Sequence, residues 1–134
     1  MCSADDTTHT VLAVDRPSRA VRGHAHEPRM NPPNDLAITV KGMLFASAPD
    51  WSAGTGTRWR IDPDGGVRVR EADRGTSKGV EVSPEERRLR INQTVQRNGW
   101  ADDRSPRGAL SNKRLVIQCD DGLEGMRCDV AGNL

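Results

Sequence analysis

The chain has 134 residues, enough for one domain of ordinary size. Hydrophobic residues make up 34%, aromatics 3%, and the net charge is +1 with both signs interspersed, so neither a nucleic-acid partner nor a membrane partner is expected. Three cysteines, an odd number with no C-x-x-C pair, argue against a disulfide framework or a zinc site.

The N-terminal MCSADDTTHT is polar and acidic, with no basic or apolar run of the signal-peptide kind. Together with thiols read as reduced, this makes a cytoplasmic location the expectation. Residues 1–29 are rich in Arg, His, Asp and Pro, and only VLAV (Val11 to Val14) reads as a strand. The segment is expected to be mostly loop or disordered. His24 and His26 share one face of an extended stretch, yet no third ligand is spaced nearby to make a zinc site of them.

From residue 30 the character changes and a repeat begins. NDLAITVKGML from Asn34, KGVEVSPEERRLRI from Lys78 and EGMRCDVAGNL from Glu124 line up at intervals of 44 and 46 residues. Each opens on a polar residue. Each continues with an apolar alternation: Leu36 and Ile38, Val80 and Val82, Met126 and Cys128. Each then turns into a new strand, of which the third copy holds only Leu134. SPEERRLR also scans as a helix start, but its place in the repeat assigns it to a strand-connecting turn. Between the copies lie further hairpins, such as Arg58-Trp59-Arg60-Ile61, the turn Asp62-Pro63-Asp64-Gly65, and Val67-Arg68-Val69-Arg70. About four strands per period of about 45 residues is the signature of a propeller blade. The fold class is therefore all-β, a partial β-propeller of four-stranded antiparallel blades over residues 30–134.

Inner strands of a propeller line its central channel. The residues that open them, Asn34, Lys78 and Glu124, are expected to converge on one rim. Asn and acidic side chains offer oxygen atoms of the kind calcium takes. An ammonium such as Lys78 has donors only and cannot ligate a cation. Trp51, Trp59 and Trp100 are expected to pack, and Cys119 and Cys128 to be small core or edge residues.

The ordered set MNPPNDLAI, WRIDPDGGV, GVEVSPEERRL, INQTVQRNGWA, LSNKRLVI and GLEGMRCDVAGNL resembles the SMP-30/gluconolactonase/luciferin-regenerating-enzyme family from about Met30 to Leu134. The resemblance implies about two and a half blades of a six-bladed propeller. It implies a divalent metal, usually calcium, at the top of the channel, and hydrolysis of sugar lactones or related esters. Asn34 matches the Asn of the family's PND and would serve as metal ligand and substrate-binding residue. Glu124 stands where the family has Asp before the Gly of GMRCD, and would serve as metal ligand and catalytic acid/base. Lys78 stands where the family has a metal-ligating Asn. A family Glu from the first blade has no counterpart motif. The alternative is a truncated, catalytically inactive relative or a small-ligand binding module, with self-association through exposed strand edges.

Overall fold

The computed structural model describes residues 1–5, 7–71 and 75–134, and among these every regular element is a β-strand. The first antiparallel sheet holds β1 (Cys2–Asp5), β2 (Thr10–Val14) and β3 (Val21–His26) in that order. The second runs β4 (Leu36–Ile38), β5 (Leu44–Asp50), β6 (Thr55–Ile61) and β7 (Val67–Glu71). The third runs β8 (Ser77–Val82), β9 (Arg88–Gln93), β10 (Asn98–Arg104) and β11 (Leu110–Gln118). Within each sheet every strand pairs with the next in sequence, so the connections inside a sheet are hairpins, while β3 to β4 and β7 to β8 pass from one sheet to the next.

Turn chemistry sets these hairpins. In the β6–β7 turn the Gly65 N–H donates to the Asp62 carbonyl at 2.8 Å, and Gly65 takes a φ of 89°, a region glycine enters without strain. The inner hairpins share one pattern. Thr39 N–H donates to the Met43 carbonyl at 2.9 Å, Ser83 N–H to Arg88 at 3.0 Å, and Asp129 N–H to Asn133 at 2.9 Å. Gly42 and Gly132 occupy the left-handed position of the first and third turns, and Glu86 takes it in the second with a φ of 57°. Residues 83–86 thus form a turn and not a helix. The third copy keeps the turn, but residues 126–128 carry no ladder, because no second strand lies beside them among the described residues.

The N-terminal segment departs from expectation: residues 1–29 are not mostly loop or disorder but contain three paired strands. The strands are polar and short, and only Val11 and Ala25 are buried, so the apolar signal was faint. Asp5 organises the β1–β2 turn, its carboxylate accepting from the Thr7 and Thr8 hydroxyls at 2.7 and 2.6 Å and from the Thr7 N–H. These bonds, the Thr8 hydroxyl first, hold the Asp5 carboxyl down at about 2. A register shift at Val11/Leu12 bulges β3, pairing Ala25 with Val11 and Gly23 with Leu12 and leaving His24 between them.

The sheets stack through two cores. Val11, Ala25, Leu44, Ala46, Ala48, Trp59 and Ile61 are buried between the first and second sheets. Ala37, Phe45, Val80, Val82 and Leu89 are buried between the second and third. β5 serves both: Leu44, Ala46 and Ala48 face one way and Phe45 the other, as the two-residue period of a strand requires. β6 does the same with Trp59 and Arg58. The Arg58 guanidinium is buried, paired with Glu71 in its own sheet and with Asp102 of the third at 2.6 Å. β1 packs beside β4, as β4 and β5 pack beside β8. Among the described residues no inner strand lies along β1. The architecture is an all-β partial propeller of four-stranded antiparallel blades, with the first sheet showing three strands.

Candidate active site at the channel rim

Asn34 lies two residues before β4, Lys78 is the second residue of β8, and Glu124 lies in the segment after β11. One backbone device places all three. In the second sheet the Ser47 hydroxyl of β5 accepts from the Asp35 N–H at 3.0 Å and donates to the Lys78 carbonyl in the next sheet. In the third sheet the Asn92 amide of β9 does both jobs again. Its Oδ1 accepts from the Gly79 N–H at 2.7 Å, and its Nδ2 donates to the Glu124 carbonyl. Each blade therefore anchors the backbone just past its own rim residue and the carbonyl of the following one.

The tight approach requires glycine at position 79, where a Cβ would stand 2.6 Å from the Glu124 carbonyl oxygen and 2.7 Å from Asn92 Nδ2. A second tie crosses the same strands. Asp35 Oδ2 accepts from the Val80 N–H at 3.0 Å, and Arg127 donates to Asp35 at 3.1 and 3.2 Å and to Glu81 at 3.3 Å. The Asp35 bond raises the Arg127 pKa. Burial raises Glu81 above the usual carboxylate range, with Arg127 acting against it.

With their backbones so fixed, Lys78 and Glu124 meet: the Lys78 ammonium donates to Glu124 Oε2. Its Nζ also lies 5.8 Å from the centre of the Trp51 ring, within cation–π range. The pair is half-open, the Lys78 side chain being 27% exposed and that of Glu124 64%. Asn34 is held through its backbone, its N–H donating to the Ser47 carbonyl at 2.8 Å. Its side chain is exposed and bonds neither Lys78 nor Glu124 among the described residues. Trp51 departs from its expected packing role, standing 52% exposed against Lys78, whereas Trp59 is buried. Trp100 is part-buried, with its indole N–H donating to Gln93 and Asn98 and Lys113 over its ring. Ser47 and Asn92 had no mark in the sequence beyond their spacing of one repeat, and Asp35 and Arg127 stood inside the PND and GMRCD motifs with no role assigned. His24 and His26 stay apart from this rim, His26 lying 3.2 Å from the Thr10 hydroxyl.

Calcium takes six to eight oxygen ligands, charged carboxylates among them. Here the Glu124 carboxylate is engaged by an ammonium, and Asn34 offers a single neutral oxygen. Among the described residues no group of three or more His, Cys, Asp or Glu side chains converges to hold a metal ion. The described residues at this rim do not fit a calcium ion.

Antiparallel sheets stacked face to face, their inner strands opening on one rim, define a propeller-type protein. The chain belongs to the SMP-30/Gluconolactonase/LRE-like family, which it matches over residues 3–134, so the match takes in the first sheet as well. It is 25% identical over 156 aligned positions to a gluconolactonase of Zymomonas mobilis, covering 98% of this chain and 44% of that protein. Among solved structures it superposes on a putative gluconolactonase with a TM-score of 0.83 at 18% identity, over 98% of this chain and 51% of that one. A gluconolactonase from Xanthomonas campestris gives 0.78 at 22% identity, over 98% and 50%. A calcium-binding protein, regucalcin, from Agrobacterium tumefaciens gives 0.79 at 20% identity, over 98% and 47%. At these identities the structural likeness speaks for the fold alone. The chain spans about half the length of the relatives it matches.

Proposed function

We propose that the rim formed by Asn34, Lys78 and Glu124 serves hydrolysis of a sugar lactone or a related ester. The observation that carries this reading is the Lys78–Glu124 contact at matching positions of successive blades. A carboxylate and an ammonium in contact can work in turn. Glu124 takes a proton from a water molecule as its oxygen attacks the ring carbonyl. Glu124 is then neutral, and the Lys78 ammonium, relieved of its partner, faces the oxyanion forming on the carbonyl. When the tetrahedral species collapses, the carbon–oxygen bond of the ring breaks and Glu124 returns the proton to the departing alkoxide. Asn34, exposed at the same rim, supplies an amide for the sugar hydroxyls. Kinship with proteins named gluconolactonase supports the substrate class.

The test is hydrolysis of gluconolactone by the 134-residue chain, followed by acid release at constant pH. Wild type is expected to exceed the spontaneous rate, and Glu124→Gln to fall to it. A wild type that never exceeds the spontaneous rate ends this reading. It would leave the second one, an inactive relative that binds a small polar ligand, which the mutual neutralisation of Lys78 and Glu124 favours. β1 is an edge strand of its sheet among the described residues, which supports a partner proposal of its own, self-association through strand pairing.

A further inference from the structure

We infer that the Lys78 ammonium occupies the cation position of this rim, so that the site is indifferent to calcium and a single substitution at position 78 returns calcium binding to it. The inference rests on rim geometry, and not on the hydrolysis reading.

Three observations place the ammonium. The Lys78 backbone is pinned on both sides, its carbonyl by the Ser47 hydroxyl and the following N–H by Asn92. Its Nζ lies against the Glu124 carboxylate. The Trp51 ring backs it at 5.8 Å, leaving the side chain 27% exposed. A cation held between a carboxylate and an aromatic face is already the positive charge that such a rim calls for. A divalent ion entering the same space would meet like charge at contact range and would have to strip Glu124 of its partner. Position 78 therefore decides between a built-in monovalent cation and a bound divalent one. A shorter amide there would remove the repulsion, free both Glu124 oxygens and add a carbonyl oxygen of the kind calcium takes.

Calorimetric titration of calcium chloride into the 134-residue chain tests this. Wild type is expected to give no saturable heat up to the millimolar concentrations at which weak calcium modules load. Lys78→Asn is expected to bind at least about tenfold more tightly than that limit, and Lys78→Asn/Glu124→Gln to lose the gain. Lys78→Gln, nearer lysine in length, replaces Lys78→Asn if the latter lowers the far-ultraviolet β signal. Saturable calcium heat in wild type would overturn the inference, as would a folded position-78 amide variant that binds calcium no better than wild type. Neither outcome depends on lactone turnover.

Discussion

Single residues at the rim carry more structural duty than their letters suggest. Gly79 follows Lys78 and admits the Glu124 carbonyl to within a distance that a methyl group would fill. Gly79→Ala is expected to push the segment after β11 away from β8 and to part Lys78 from Glu124. The check is a thermal melt together with the Glu124 carboxyl signal by NMR; an unchanged signal would mean the segment has room to spare. Asn92 is buried, and its amide satisfies one N–H and one carbonyl at once. Asn92→Ala leaves the Gly79 N–H and the Glu124 carbonyl without that partner, at a cost of about 1–3 kcal/mol in urea denaturation. Asn92→Asp restores only the acceptor, so it should recover the Gly79 bond and not the Glu124 one.

Among the elements, the inner hairpins and the strand-turn-strand β6–β7 were legible in the sequence because their turns use residues with a mechanical reason to be there. Asp62, Pro63, Gly65, Gly42 and Gly132 announce a reversal whatever surrounds them. β1 and β3 were not legible. CSAD and VRGHAH have too few apolar residues to show a period, and a bulge at His24 breaks what period there is. The Lys78–Glu124 meeting followed from repeat spacing, but Trp51 beside it did not, since nothing local tells a rim tryptophan from a core one. The buried Arg58 between Glu71 and Asp102 was hidden for the same reason: RWRI reads as an alternating strand, and only the stacked sheet reveals which arginine faces inward.

The third inner hairpin offers a pH test. The Asn133 side chain first, then the Asn133 and Ala131 N–H groups, hold the Asp129 carboxyl below its ordinary value. A carboxyl depressed in the folded state stabilises its turn above the unfolded pKa and releases it as pH falls through the folded one. Protection at Ala131 and Asn133, taken relative to the intrinsic amide exchange rate at each pH, should therefore hold at neutral pH and fall only below the usual aspartate range. Exchange that is already fast at neutral pH would mean the turn does not persist in solution.

For the molecule as a whole, stability resides in the two seams between sheets. Leu89 is fully buried in the second seam, and Leu89→Ala should cost about 2–5 kcal/mol in denaturant unfolding. A smaller loss would mean that the sheets part before the core is tested. The β1 edge should make the chain's sedimentation depend on concentration, and a Pro placed at Ala4, whose N–H faces away from β2, should suppress it, because proline cannot donate to an added strand. Sedimentation as 14.7 kDa at every concentration would refute edge pairing. The Ser47 and Asn92 ties have one more consequence, which concerns direction. The Ser47 hydroxyl and the Asn92 amide each grip the carbonyl of the rim residue in the blade that follows. Damage at Ser47 should therefore disturb Lys78, and through it Glu124. Damage at Asn92 should release Glu124 and leave the Lys78 carbonyl in place. The carbonyl of each of these two rim residues thus depends on a side chain of the blade before it.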